Sequence, residues 1–242
     1  MKDGGESLKL RPSVSIAIIA LNEAGNIENA IKNAVNALEK QGFLDFEILA
    51  INDGSTDDTR KIIENLAAQN RRIKAFHNFK PQGLGYDFRI GSSWASKDYF
   101  GWFPGDNETL PETITAILEQ IGKADIIIPY TVNREVRSIY RRFLSTAFVT
   151  MFNVIFGLKL KYFNGPCFFK RDLLKTAEMT TDGPAYMAEI LVQLVRRKDT
   201  SYVEVPMYIK KRDYGASHVL KWKNVYLIGK TILGLIYRIY FR

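Results

Sequence analysis

The chain has 242 residues, 46% hydrophobic and 25% charged, which are the values of a globular and not of a disordered chain. A single cysteine, Cys167, excludes an intrachain disulfide framework. The formal net charge is +8, and from Lys210 onward there are eight basic residues against one acid, Asp213, so the excess is a property of the C-terminal segment and points to an anionic surface or substrate.

Met1 to Arg11 is polar and lacks the apolar core of a signal peptide, which predicts a cytoplasmic domain. Val14 to Ala20 is an apolar, β-branched run and reads as a strand. Asn26 is placed to cap a helix from Ile27 to Lys40, whose apolar residues recur at helical spacing. Phe46 to Ile51 is a second strand, followed by a helix starting at Ser55 or Thr56 and running to about Asn70, with Asp57 and Asp58 in its first turn. A strand over Ile73–His77, a helix from Gln82 to about Ser96, a strand over Tyr99–Phe103, a helix over Pro111–Ile121 and a strand over Asp125–Pro129 complete an alternating pattern. That alternation predicts an α/β fold with a mostly parallel sheet between helices.

Beyond residue 130 the pattern changes. Phe143 to Leu158 carries no charge but is shorter than a bilayer-spanning helix, and Arg134, Arg137, Arg141 and Arg142 precede it. A short strand over Cys167–Lys170, a helix over Ala185–Arg197 and a strand over Tyr202–Ile209 follow. Val219 to Arg242 reads as a basic, aromatic, amphipathic helix that lies on a membrane surface rather than crossing it. The expected organisation is a catalytic domain over 1–218 and a terminal amphipathic helix over 219–242.

Two acidic turns follow strands: Asn52-Asp53-Gly54-Ser55-Thr56-Asp57-Asp58-Thr59 and Pro104-Gly105-Asp106-Asn107-Glu108. In open α/β sheets ligands bind beyond the carboxyl ends of strands. Two acidic turns there repel a bare phosphate. They suit a site in which one grips a base or ribose hydroxyl and the other holds a divalent cation against a diphosphate. That is the signature of a nucleotide-sugar site.

These turns, with Ile18-Ile19-Ala20-Leu21-Asn22-Glu23 and Arg212-Asp213-Tyr214-Gly215-Ala216-Ser217, resemble the family 2 inverting glycosyltransferases of GT-A fold across roughly Val14 to Ser217. The branch most resembled moves sugars to polyprenyl phosphates, as dolichol-phosphate mannose synthase does. The resemblance implies that Ala20, Leu21 and Glu23 border the nucleotide and that Asp53 accepts a hydrogen bond from the base. It implies further nucleotide contacts from Gly83, Gly85, Arg89 and Gly105, the first three in a glycine-rich helix start suited to phosphate. Asp106 and Glu108 are the implied ligands of Mg²⁺ or Mn²⁺, although Pro104 stands where the family pattern has its first aspartate. Arg134, Arg137, Arg212 and Ser217 are implied to face donor and acceptor phosphates, and Asn164 and Gly165 to line the sugar pocket. Glu189 matches the acid that serves as general base where the acceptor is a hydroxyl, so the implied catalytic set is Asp106, Glu189 and Arg212.

The expected activity is inverting transfer of a sugar from a UDP- or GDP-linked donor to a polyprenyl phosphate, by a protein peripheral on the cytoplasmic face of a membrane. Room is left for a membrane-protein subunit; nucleic acid is not an expected partner. Two alternatives stay open: transfer to a hydroxyl of a surface glycan, and a nucleotide binder that has lost catalysis.

Overall fold

A computed structural model describes residues 11–210 and 222–241. The first half alternates as Val14–Ala20 (β1), Ile27–Lys40 (α1), Phe46–Asn52 (β2), Thr59–Gln69 (α2), Ile73–His77 (β3), Leu84–Trp94 (α3), Tyr99–Pro104 (β4), Pro111–Leu118 (α4) and Ile126–Thr131 (β5). A 3₁₀ turn at Arg134–Val136 then leads to Ile139–Phe156 (α5), Phe168–Lys170 (β6), Arg171–Leu174 (α6), Tyr186–Val195 (α7), Tyr202–Met207 (β7) and Trp222–Tyr240 (α8).

The strands form one seven-stranded sheet of order β3-β2-β1-β4-β6-β5-β7. All pairs are parallel except those of β6, which runs against both β4 and β5. The central strands β1 and β2 are buried along their whole length, which is why they read as continuous apolar runs rather than alternating ones. One core cluster packs the sheet against α1, α2 and α4; a second packs it against α3, α5, α7 and α8. The sheet therefore lies between two helical layers, the GT-A arrangement.

One helix start and one cap differ from expectation for one reason: their polar residues are spent on neighbouring loops. α2 begins at Thr59, not at Ser55 or Thr56. Ser55 Oγ accepts from the Asn22 N–H and Thr56 N–H donates to Asn22 Oδ1, so neither winds into the helix. Asn26 stands at the start of α1 without a side-chain cap; its amide donates to Glu23 instead.

α5 is capped by Ser138, which accepts from Arg141 N–H, and ends at Gly157 in the left-handed conformation (φ 65°). It buries only Phe152 and Phe156 and leaves Ile139, Tyr140, Phe143 and Val154 exposed. α8 seats Ile232 and Leu235 in the core beside α7, and Tyr226, Leu233 and Tyr237 remain exposed. Among the described residues no helix is long and apolar enough to cross a membrane.

Near the amino ends of β1 and β2 the sheet holds a buried polar network. Glu47 on β2, 3% exposed, accepts from Ser15 Oγ, Lys74 Nζ, and the N–H and Oγ of Ser96. Burial opposes its charge, but the Lys74 ammonium and the Ser15 and Ser96 donors outweigh it and hold the carboxyl at about 2. A depressed carboxyl pKa adds stability above its unfolded value and loses it as pH falls through the folded one. Acid unfolding should therefore draw roughly 3 kcal/mol from this group between about pH 4.5 and pH 2. Glu47→Gln should flatten that part of a denaturant-monitored stability profile; an unchanged slope would show the network to be inert.

Candidate active site

Strand order reverses between β1 and β4, and at such a reversal open α/β sheets bind ligands in the crevice beyond the carboxyl ends of the strands. Three loops converge on it. Ala20 pairs with Asn52 and Ile19 with Pro104 in the sheet register. Just beyond, Asp53 N–H donates to Ala20 O and Gly105 N–H donates to Ile19 O, each at 2.8 Å. A Cβ on Gly105 would stand 2.7 Å from that of Ala20, so only glycine lets the β4 turn close on β1. The loop after β1 is stitched to the loop after β2 by bonds from Glu23 N–H to Thr59 Oγ1 and from Ala24 N–H to Asp57 Oδ2. Leu21 and Asn22 are exposed on the rim, Asn22 in a left-handed conformation (φ 56°).

Asp53 is 4% exposed, and its carboxylate grips the glycine-rich turn. It accepts from Gln82 N–H at 2.6 Å, Asn78 Nδ2 at 2.8 Å and Gly83 N–H at 2.9 Å. A carboxylate offers about four acceptor positions, so about one is left for a ligand. Asp53 thus shapes the turn.

Three residues of the expected nucleotide set are committed to other protein contacts. The Gly83 amide is held by Asp53. Gly85 is glycine because its Cβ would lie 2.6 Å from Asp182 O, so its lack of a side chain admits a loop of this chain. Arg89 makes a bidentate pair with Asp182, at 3.1 and 3.2 Å. Gly85 and Arg89, expected at the nucleotide, therefore dock the 176–185 loop on α3.

Asp106 and Glu108 stand at the end of β4. Asp106 Oδ1 accepts from Glu108 N–H at 3.0 Å, and the intervening Asn107 has φ 56° and receives a bond from Asn33. Glu108 O accepts from Lys210 N–H, and Ile209 beside it exchanges bonds with Asn133, so one strand continuation joins the acidic turn to the loop after β5. Among the described residues no group of three or more His, Cys, Asp or Glu could cage a metal. Two hard oxygen donors fit a cation that completes its shell from a diphosphate and water, as Mg²⁺ sites usually do.

On the far side of that continuation a cavity of about 290 Å³ is lined by Tyr130, Thr131, Val132, Arg134, Arg137, Ser145, Lys161 and Tyr162. Arg137 donates to Tyr162 Oη at 3.2 Å, and Arg134 to Thr146 Oγ1 at 2.7 Å. Lys161 Nζ lies 4.2 Å above the Tyr130 ring, and its nearest acid, Glu204, is 3.9 Å away. Thr131 Oγ1 and Arg137 Nε are buried without a hydrogen-bond partner among the described residues. Three cations and buried donors around a void suit an anion. Gly165 closes this region against β5, where a Cβ would meet Pro129 O at 2.4 Å, and Asn164 beside it is exposed.

Glu189 is fully buried on α7. It accepts from Thr180 N–H, Thr180 Oγ1 and Thr181 N–H, and is ion-paired with Arg238 of α8. These bonds join α7, the 180–181 loop and α8 through a residue expected to be a catalytic base. Arg212 and Ser217 lie outside the described residues.

Lys161 and Thr131, which line the cavity, and Asp87, which shares Asn78 with Asp53, escaped the reading of the sequence. Lys161 and Thr131 sit in segments with no motif. Asp87 carried a signal: it falls on the buried stripe of α3 with Phe88 and Gly91, where an acid is out of place.

The chain matches the description Glycosyl transferase family 2 over residues 15–181. It is 30% identical over 114 residues to a GalNAc(5)-diNAcBac-PP-undecaprenol beta-1,3-glucosyltransferase of Campylobacter jejuni, covering 46% of this chain and 35% of that protein. It is 32% identical over 127 residues to a chondroitin synthase of Pasteurella multocida, covering 52% and 12%. The chain thus spans about a third or less of the length of these relatives. Glucosyl-3-phosphoglycerate synthase of Mycobacterium tuberculosis, solved with Mg²⁺ and UDP, superposes with a TM-score of 0.67 at 15% identity, covering 94% of this chain and 79% of that one. That likeness establishes the GT-A fold.

Proposed function

The chain belongs to glycosyl transferase family 2, and on that premise we propose that it transfers a sugar, with inversion, from a nucleotide-diphosphate donor to a polyprenyl phosphate at a membrane face. The observation that carries the acceptor is the cavity of Arg134, Arg137 and Lys161, whose unpaired buried donors suit a phosphate head group. Burial of Glu189 under Arg238 supports the same choice. A phosphate acceptor is already ionised near neutral pH and requires no strong base, whereas a glycan hydroxyl does.

The nucleotide lies across the crevice between β1 and β4, bordered by Ala20, Leu21 and Glu23, with the base against the remaining acceptor position of Asp53. Asp106 and Glu108 would hold Mg²⁺ or Mn²⁺, which would supply positive charge against the departing diphosphate. The solved M. tuberculosis synthase, whose crystals contain UDP with Mg²⁺ or Mn²⁺, supports both assignments. Arg134, Arg137 and Lys161 place the acceptor phosphate, Asn164 and Gly165 border the sugar, and Arg212 and Ser217 follow the strand end that meets Glu108. The acceptor oxygen forms its bond to the anomeric carbon as the bond to the diphosphate breaks. The exposed aromatics of α5 and α8 turn an apolar, cation-rich surface to the lipid. The undecaprenol-linked substrate in the name of the C. jejuni relative supports a lipid carrier.

The test is release of nucleoside diphosphate from UDP-, GDP- and dTDP-sugars with Mg²⁺ or Mn²⁺, with and without polyprenyl phosphate. Lipid-dependent release supports the reading. Release that instead depends on a glycan oligosaccharide supports the hydroxyl-acceptor reading, which the match to chondroitin synthase favours. Arg134→Ala and Arg137→Ala should each raise the acceptor KM about tenfold, the size of one charge-assisted hydrogen bond, and leave donor affinity unchanged. Equal loss of donor affinity would move both arginines to the nucleotide.

A further inference from the structure

α7 and α8 border a second cavity, of about 320 Å³, which shares no lining residue with the one that holds Arg134, Arg137 and Lys161. Val192 and Ile239 give it an apolar wall, and Arg196, Arg197 and Arg238 bring three guanidinium groups to it. Among the described lining residues the one acid is Glu178, which is paired with Arg238 at 3.2 Å. Arg238 is fully engaged: its Nε donates to Gly234 O, and its other two nitrogens hold Glu178 and the buried Glu189.

Arg196 and Arg197 differ from it. They follow α7 directly, and each is fixed by neutral groups from another part of the chain. Arg196 donates to Phe156 O at the end of α5 and lies 5.4 Å from the centre of the Tyr240 ring. Arg197 donates to Thr176 Oγ1 at 2.6 Å and to Thr176 O at 3.2 Å. A guanidinium has five N–H donors, so most of theirs have no acceptor among the described residues, and neither is ion-paired there. The negative end of the α7 dipole accounts for two cations at its terminus. It does not account for both lining one cavity, where their like charges repel. An oxyanion between them removes that repulsion, and phosphate matches the fork geometry of the guanidinium.

The cavity borders an aromatic strip. Tyr237, Tyr240 and Phe241 are exposed and share one face at the end of α8, and Tyr240 is the ring beside Arg196. Cations next to exposed rings match an anionic lipid, with its chains against the aromatics and its headgroup among the arginines. We propose that this cavity binds a phosphate group, that of an anionic phospholipid headgroup, at a place separate from the acceptor. The assignment rests on no step of the sugar transfer.

The experiment uses the full chain without donor or acceptor. Binding to phosphatidylcholine vesicles, with and without phosphatidylglycerol, is measured by co-sedimentation, and binding to inorganic phosphate by calorimetry. The wild type is compared with Arg196→Lys/Arg197→Lys and Arg196→Gln/Arg197→Gln. Lysine keeps the charge and a donor for Phe156 O and Thr176, and it loses the fork. Phosphatidylglycerol vesicles should bind the wild type, and both double variants should bind them at least about tenfold more weakly, the size of one charge-assisted hydrogen bond. A diffuse attraction between a basic surface and an anionic bilayer does not tell lysine from arginine. Wild-type binding of both probes by the lysine variant therefore overturns the proposal, as does a wild type that binds neither probe. A loss confined to inorganic phosphate upholds the anion site and assigns it to a free phosphate ester. Phosphate binding that vanishes only in Arg134→Ala/Arg137→Ala belongs to the acceptor cavity and, with vesicle binding unchanged in the lysine variant, overturns the second site. Should the glutamine variant fail to fold, the lysine variant alone decides.

Discussion

Asp106→Ala is expected to lower sugar transfer about a thousandfold, the most damaging single change in the crevice. Asp106 and Glu108 are the two hard donors at the end of β4, and Pro104 leaves no third carboxylate in that turn. A cation bridging a diphosphate stabilises leaving-group charge by several kcal/mol, and each 1.36 kcal/mol is a factor of ten in rate. Asp106 also shapes the turn, because its Oδ1 accepts from Glu108 N–H. Asp106→Asn separates the two effects: an amide oxygen keeps that bond, and the charge is lost. Both variants should release nucleoside diphosphate at similarly low rates, with added Mn²⁺ recovering little. Wild-type turnover in the alanine variant would sink the metal assignment.

Arg238→Ala is expected to give the largest loss of stability. Arg238 sits on α8 with its side chain 14% exposed, and it pairs with Glu178 and with the fully buried Glu189. Removing one partner of a buried pair strands the other charge, at a cost of about 3 to 5 kcal/mol. For a chain of this size that corresponds to a fall in Tm of roughly 10 °C. Glu189→Gln should be milder, because the buried charge itself disappears, the threonine donors keep an acceptor, and Arg238 keeps Glu178. The pair also decides a chemical question. If Glu189 only clamps α7, the 180–181 loop and α8 together, the folded glutamine variant should transfer sugar within a few-fold of the wild type. A variant with normal Tm and no turnover would restore Glu189 as a base and favour a hydroxyl acceptor.

Local spacing alone placed most of the fold. Val14–Ala20 and Ile73–His77 have their expected bounds as strands, and Ile27–Lys40 as a helix, because apolar periodicity and β-branched runs are local properties. The two acidic turns were legible for the same reason, being short stretches ending strands whose neighbours in the sheet follow from βαβ handedness. The reversed direction of β6 was not legible. Three residues pair with β4, and two of them also with β5, only because the chain re-enters the sheet from its carboxyl edge after α5.

The roles of individual polar residues divided along the same line. Composition and motif marked Asp53, Asp106 and Glu108 as acids at strand ends, where any α/β sheet presents its loops to a ligand. Whether a charged group is free for a ligand depends on what packs against it, and that partner can be far away in sequence. Arg89 meets Asp182 and Glu189 meets Arg238 across 93 and 49 residues. Asp87 and Lys161 acquire their surroundings only when α3, α7 and the β5 loops close on the sheet. Burial and partner choice are collective outcomes of packing, so tertiary structure alone gave Arg89 and Glu189 their distant partners and placed an unremarked acid beside Asp53.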